Sequence, residues 1–271
     1  MLKKRVITAL CGIPLLIVII YFGEPYFTTL VAIWGLLAVL EFYKIVSASK
    51  VPPLTYLGSV FVLLLILSPH YKLIFPQVEY ELFMPFLLTL MVTLSLTWTL
   101  LRPKKEGAFV GWVWTIAGII YIGWLLSHFP SLRGLEEGRN WVFFAFFITF
   151  ASDSTAFLVG RKIGKHRLAP RISPNKTWEG AIAGVLAAIT VSLIFILPTP
   201  LKLPLTLWQV MLLGLLVSIL GQLGDLAESL FKRNMGVKDS GKLLPGHGGF
   251  LDRMDSVVFA CIVVYYWALF I

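Results

Sequence analysis

Between Ser229 and Asp255 the chain reads SLFKRNMGVKDSGKLLPGHGGFLDRMD, a dense mixture of basic residues, aspartate, histidine and glycine. Lys232, Arg233, Lys238 and Arg253 are groups that hold phosphate oxygens, and His247 can donate to one. Gly246, Gly248 and Gly249 let a backbone approach a ligand closely and turn its N–H groups toward an anion. Taken alone, such glycines also mark an ordinary turn. Asp252 and Asp255 are three residues apart, so on a helix starting here their carboxylates share a face. An aspartate near a helix N-terminus also complements the helix dipole, which accounts for one of the two. Asp225 and Asp153 stand in apolar stretches upstream, where charge is costly and therefore sparing. Several carboxylates gathered in a low dielectric repel each other, and a divalent cation relieves the repulsion. Oxygen-only ligands favour Mg²⁺ over Zn²⁺, and Mg²⁺ bridges readily to substrate phosphates. The pattern points to chemistry on anionic groups.

The elements that must position these residues are membrane spans. The chain is 58% apolar and 14% charged, with a mean hydropathy of +0.86, whereas a soluble domain is about a quarter charged. Apolar runs long enough to cross a bilayer recur along the whole length. The expected fold is an all-α polytopic membrane protein with nine spans, over 6–22, 27–46, 54–70, 82–101, 108–128, 141–160, 177–197, 207–230 and 254–271. The first follows Lys3, Lys4 and Arg5 in the manner of a signal peptide, but eight more spans follow, so it reads as an uncleaved helix. With the N-terminus in the cytoplasm, all but four of the 23 Lys and Arg residues fall on the cytoplasmic side. The exceptions are Lys72, Arg133, Arg139 and Lys202. This positive-inside asymmetry holds at every loop and would break with an even number of spans. Organisation by region is 1–140, five N-terminal spans, and 141–271, a catalytic region of four spans with cytoplasmic loops 161–176 and 231–253.

The formal charge of +9 is topogenic, and the basic loops are placed to touch anionic headgroups. Nucleic-acid binding is excluded as a function class, since no soluble domain is left to do it. Cys11 and Cys261 both sit in apolar spans, which argues against a disulfide or a thiolate metal site.

Depth and facing follow from helix geometry. Counted from Gly160, Asp153 lies roughly 10 Å below the cytoplasmic end of its span, and Asp225 lies roughly 8 Å below the end of its own. At 100° per residue, Ser218, Gln222, Asp225, Ser229 and Lys232 fall within about 80° of arc, so one stripe of the eighth span is polar. Glu228 lies about 60° to one side of Asp225. The loop after the sixth span ends in Ser173-Pro-Asn-Lys-Thr-Trp-Glu-Gly180. Ser173 and Pro174 suit a helix entry, with Thr177 as N-cap. That would set a phosphate-attracting helix N-terminus beside Lys176. Topogenic charge explains Arg161 and Lys162 well, but Asn175, Lys176 and Glu179 less well. The Gly180-x-x-x-Gly184 spacing is a weak signal of helix packing.

Ser229, Lys232-Arg233, Lys238-Asp239, Gly241, Leu244-Pro245, His247-Gly248-Gly249, Asp252-Arg253 and Asp255 together resemble the signature of the phosphatidate cytidylyltransferases, or CDP-diacylglycerol synthases. Ser173–Gly180 and Gly221-Gln-Leu-Gly-Asp225 resemble the same family, so the likeness covers the C-terminal half. The resemblance implies that CTP and phosphatidic acid give CDP-diacylglycerol and pyrophosphate with Mg²⁺, a second, monovalent cation being left open. Asp225, Asp252 and Asp255 are then expected as metal ligands, with Asp153 as a ligand or supporting partner. Lys232 and Arg253 join the three acids as catalytic candidates. Lys176, Asn175, Ser173, Ser229, Arg233, Lys238, Asp239, His247, Gly248 and Gly249 are the substrate-binding candidates. A homodimer in the cytoplasmic (inner) membrane, with its site facing the cytoplasm, is also expected. Two other readings stay open: a related CTP-dependent lipid kinase, attacking at the γ-phosphorus, and an ion-coupled transporter with intramembrane acids. Against the transporter, the acids cluster near one face of the membrane and no inverted repeat is visible.

Overall fold

A computed structural model describes residues 2–48, 52–101, 106–241 and 248–271, with side chains from Gly12 onward. The chain is helical almost throughout. In order the helices are α1 (Leu2–Phe22), α2 (Tyr26–Ser47), α3 (Thr55–Leu67), α4 (Tyr80–Leu100), α5 (Ala108–Gly118), α6 (Leu125–Arg133), α7 (Gly138–Ile163), α8 (Trp178–Ser192), α9 (Leu207–Asn234) and α10 (Asp255–Phe270). A π-turn over Ile119–Trp124 joins α5 to α6 into one run. Among the described residues, seven helical segments are long and apolar enough to cross a membrane: Tyr26–Ser47, Thr55–Leu73, Tyr80–Leu100, Ala108–Arg133, Gly138–Ile163, Trp178–Ile196 and Leu207–Asn234. They coincide with seven of the nine expected spans. The first and ninth fall on shorter apolar helices, Gly12–Phe22 and Asp255–Phe270. Large apolar side chains such as Phe86, Trp98, Phe157 and Leu186 are exposed on these helices, as an all-α membrane protein requires.

Two local expectations are corrected. Ser173–Thr177 does not enter a helix but forms strand β2, paired antiparallel with β1 (Arg167–Ala169) across a register irregularity. A residue before proline is pushed away from helical dihedrals, and Ser173 obeys that bias. Thr177 is nonetheless the N-cap of α8, its hydroxyl accepting from the Gly180 N–H at 3.2 Å. Likewise, Asp252 lies in a short 3₁₀ turn, Leu251–Arg253, and α10 begins only at Asp255. The two aspartates therefore do not share a helical face.

The chain forms two compact units, one built chiefly from Glu24–Pro130 and Asp239–Leu251, the other from Ala9–Gly23, Ser131–Lys238 and Asp252–Ile271. In the first, α2, α3, α5 and the π-turn pack around Tyr43. Its buried hydroxyl donates to the Thr115 carbonyl at 2.7 Å, and the Thr115 hydroxyl in turn accepts from the Leu54 N–H at 2.7 Å. Gly58 and Gly118 lie flat against the Tyr43 ring, which a β-carbon at either would strike.

The second unit is a bundle of α7, α8, α9 and α10. Its helices approach closely through small residues, the usual device where lipid supplies no hydrophobic drive. A β-carbon at Gly180 would meet the Ala156 carbonyl, and one at Gly184 the Ser152 carbonyl, both on α7. The Gly180/Gly184 spacing is thus a packing face, as its sequence implied. Gly224 of α9 lies in the same way against Asp255 and Phe259 of α10. α9 starts in a capping box between Thr206 and Gln209 and runs uninterrupted for 28 residues, which fixes the rotational phase of every polar side chain on it.

Candidate active site

The polar stripe of α9 has a partner at each turn. Ser218 meets Ser152 of α7 at 2.7 Å, and Gln222 donates to Ser218 and to the Ala181 carbonyl of α8. These two contacts are internal glue between helices. From Asp225 onward the partners change to charges. Lys176, at the end of β2, places its ammonium 2.7 Å from Asp225, and Ser229 donates to the other oxygen of the same carboxylate at 3.3 Å. Lys232 reaches Asp252 at 2.6 Å and Glu228 at 3.2 Å. Asp255 neighbours Glu228, and Asp153 of α7 is held near Ser256 of α10. Five carboxyls and two ammonium groups therefore gather among the C-terminal halves of α7 and α9, the start of α10 and the β hairpin.

The hairpin is what delivers Lys176. Glu179, in the first turn of α8, accepts from the backbone N–H of His166 and pairs with its ring at 2.7 Å. The Trp178 N–H donates to the His166 carbonyl. These bonds clasp the loop from both sides and give Glu179 a structural task that topogenic charge did not explain. Arg233 also serves the hairpin: its guanidinium donates to the carbonyls of Ile172 and Val237. Ser173 is half-buried in β2, Asn175 and Arg253 are exposed, and Ser229 and Lys232 are buried. Lys238 is exposed beyond the end of α9. Asp239, Gly248 and Gly249 belong to the other compact unit, and His247 lies outside the described residues.

Glu228 is set beside Asp225 by the helical arithmetic but is not among the site residues expected from the sequence, yet it stands at the centre. It is fully buried, and neither of its oxygens accepts a hydrogen bond among the described residues. The Lys232 ammonium stands 3.2 Å from one of them, though not with hydrogen-bonding geometry. The sequence signal was an acid four residues before a lysine inside an apolar span. The donor set here is all oxygen, and a buried carboxylate with unsatisfied oxygens suits a hard cation such as Mg²⁺. Among the described residues no three acids converge on one point; Lys176 and Lys232 stand at Asp225 and Asp252 instead. The donor chemistry fits a divalent cation, and the ammonium groups hold the acids together.

The model of the cytidylyltransferase family matches residues 3–271. A phosphatidate cytidylyltransferase of Bacillus subtilis is 35% identical over 98% of this chain and 97% of its own length. One from Staphylococcus haemolyticus is 33% identical over 95% of both chains. One from Brucella abortus is 47% identical over 56% of each. The chain belongs to the cytidylyltransferase family.

Proposed function

We propose that this protein transfers the cytidylyl group of CTP to phosphatidate, giving CDP-diacylglycerol and pyrophosphate. The observation that carries the reading is the full-length match to phosphatidate cytidylyltransferases. The buried acid and lysine cluster supports it. A phosphatidate oxygen attacks the α-phosphorus of CTP, the bond from that phosphorus to the bridging oxygen breaks, and pyrophosphate leaves. The phosphate monoester is largely ionised at neutral pH, with a second pKa near 6, so the nucleophile needs little help from a base. What the protein must supply is relief of repulsion between two anions.

Lys176, Lys232 and Arg253 are suited to that task, with Ser173, Asn175, Ser229, Arg233, Lys238, Asp239, His247, Gly248 and Gly249 as further substrate contacts. Asp225, Asp252 and Asp255, with Asp153 beside them, are the residues that would hold Mg²⁺. When bound, the ion would neutralise phosphate charge and stabilise the leaving group. Lys176 and Lys232 keep the acids oriented and close. The site faces the cytoplasm in a nine-span protein of the inner membrane with a cytoplasmic N-terminus, a reading supported by the distribution of Lys and Arg. The small-residue faces and the family likeness support a homodimer.

Label position tests the reaction directly. Purified protein in mixed micelles is given phosphatidic acid, Mg²⁺ and CTP labelled at the α- or the γ-phosphate. Transfer as proposed moves the α label into lipid and the γ label into pyrophosphate. Appearance of the γ label in lipid would establish a kinase instead.

A further inference from the structure

Between Asp153 and Glu179 the sequence holds six Lys and Arg residues and no acid. Lys176 reaches inward to Asp225. The other five, Arg161, Lys162, Lys165, Arg167 and Arg171, are exposed, and none pairs with an acid among the described residues. Topogenic charge works from any loop, ordered or not. These five are carried on a fixed scaffold, the last turn of α7 and the β1–β2 hairpin, which Glu179 holds at His166 and Arg233 at Ile172. α7 ends and α8 begins at one level, because Gly160 lies against Gly180. Ile163 and Trp178, at those two ends, are 62% and 55% exposed. An exposed tryptophan beside basic residues at the end of a span suits the membrane–water boundary. The strand register sets Arg167 opposite Thr177, so the exposed cations run up to the neighbour of Lys176.

We propose that Arg161, Lys162, Lys165, Arg167 and Arg171 form a docking surface for the phosphomonoester headgroup of the lipid substrate and gather phosphatidate beside Lys176. The proposal rests on the transfer reaction proposed above. A phosphomonoester carries about 1.5–2 negative charges at neutral pH, whereas the phosphodiester of phosphatidylglycerol carries a single one. The same cations therefore hold phosphatidate more strongly than other anionic lipids. Ile163 and Trp178 set them at headgroup level, where the lipid phosphate already sits, whereas CTP arrives from water.

The test compares full-length wild type with two multiple variants in mixed micelles. One carries Arg161→Gln, Lys162→Gln, Arg167→Gln and Arg171→Gln; the other carries Arg161→Lys, Arg167→Lys and Arg171→Lys and keeps every charge. In the glutamine variant, KM for phosphatidate, expressed as its mole fraction at saturating CTP, should rise at least about fivefold. Its kcat and its KM for CTP should stay within about twofold of wild type, because only ground-state binding of the lipid is lost. The lysine variant should match wild type, since attraction to a headgroup needs the charge and not the guanidinium fork. A second measurement needs no turnover: spin-labelled phosphatidate and phosphatidylglycerol compete for contact with the protein in phosphatidylcholine vesicles. Wild type should select phosphatidate, and the glutamine variant should not. Should the glutamine variant fail to insert, Arg167→Gln alone should show both changes in smaller measure. Wild-type KM for phosphatidate in the variant measured, or a rise confined to KM for CTP, would overturn the docking surface. Selection of phosphatidate that the variant loses, in a protein that transfers no cytidylyl group, would overturn the reaction and leave the surface standing.

Discussion

Replacing Lys232 with methionine strikes the centre of the cluster. The ammonium lies 2.6 Å from Asp252 and 3.2 Å from Glu228, and side-chain exposures of 11%, 7% and 0% leave little solvent to screen the three charges. Methionine keeps most of the stem's volume and strands two acids beside each other. Removing one partner of a buried ion pair costs about 3–5 kcal/mol, most of it the price of the charge left behind. At ~2–4 °C per kcal/mol, the lower figure corresponds to a fall of roughly 6–12 °C in the apparent midpoint. Lys232→Met with Glu228→Gln removes one stranded charge and should regain about half of that loss, while transfer activity stays lost in both. The assay is thermal unfolding in detergent beside transfer of α-labelled CTP. If Lys232→Met melted within about 2 °C of wild type, under ~1 kcal/mol, the ammonium would not be the counter-charge that the geometry implies. If the double variant regained activity along with stability, Lys232 would have only a structural part.

Other perturbations separate chemistry from architecture. Asp225→Asn, Asp252→Asn and Asp255→Asn should each leave a membrane-inserted protein with turnover lowered about a hundredfold or more; near-normal turnover in all three would remove the proposed metal ligands. For topology, Ser240 is buried against Glu41, so cysteine probes belong at the exposed Asp239 and Glu136. Impermeant thiol reagent should reach Asp239→Cys only from the cytoplasmic face and Glu136→Cys only from the other, and labelling of both from one side would end the nine-span scheme. Lys176→Ala should raise the substrate requirement and Arg253→Ala should lower turnover more, with Arg253→Lys also impaired if the guanidinium makes a two-pronged contact. Lys104→Ala should match wild type, and equally mild kinetics in Lys104→Ala and Arg253→Ala would leave Arg253 a topogenic charge.

The fold was legible where composition speaks alone. Apolar runs of bilayer length located seven long spans because little but a helix satisfies its own backbone in lipid. The phase of α9 was legible too, since an uninterrupted helix keeps 100° per residue and sets Ser218, Gln222, Asp225, Ser229 and Lys232 on one stripe. What that stripe meets was not legible. Ser218 and Gln222 look as functional as Asp225 in sequence, yet they hydrogen-bond between helices. The cap of α8 was legible at Thr177, but local preferences hid what precedes the helices: Pro174 holds Ser173 extended in β2, and Asp252 turns in 3₁₀ before α10. Glu41 of α2, which accepts from the Ser240 hydroxyl and the Leu251 N–H, escaped notice because these partners are about 200 residues away and no spacing rule links them to it.

Charge balance explains why acids and lysines occur together here. Asp153, Asp225, Glu228, Asp252 and Asp255 lie close enough to feel one another, while Lys176 pairs with Asp225 and Lys232 with Asp252 and Glu228. An acid-rich pocket of that kind would repel CTP and phosphatidate, which are anions themselves. It serves such substrates only if a further cation arrives with them, and this is the physical ground for proposing Mg²⁺ at Asp225, Asp252 and Asp255. On that proposal the lysines would have two tasks at different moments. Before substrate binds they hold the acids together, at 2.7 Å in one pair and 2.6 Å in the other. With Mg²⁺ held by the carboxylates, the same ammonium groups would be free to turn toward phosphate oxygens. That exchange predicts that Lys176→Met will weaken CTP binding more at limiting Mg²⁺ than at saturating Mg²⁺, because the cation can then restore part of the lost attraction. Equal weakening at both concentrations, read by equilibrium binding of CTP, would separate Lys176 from the cation and refute the exchange.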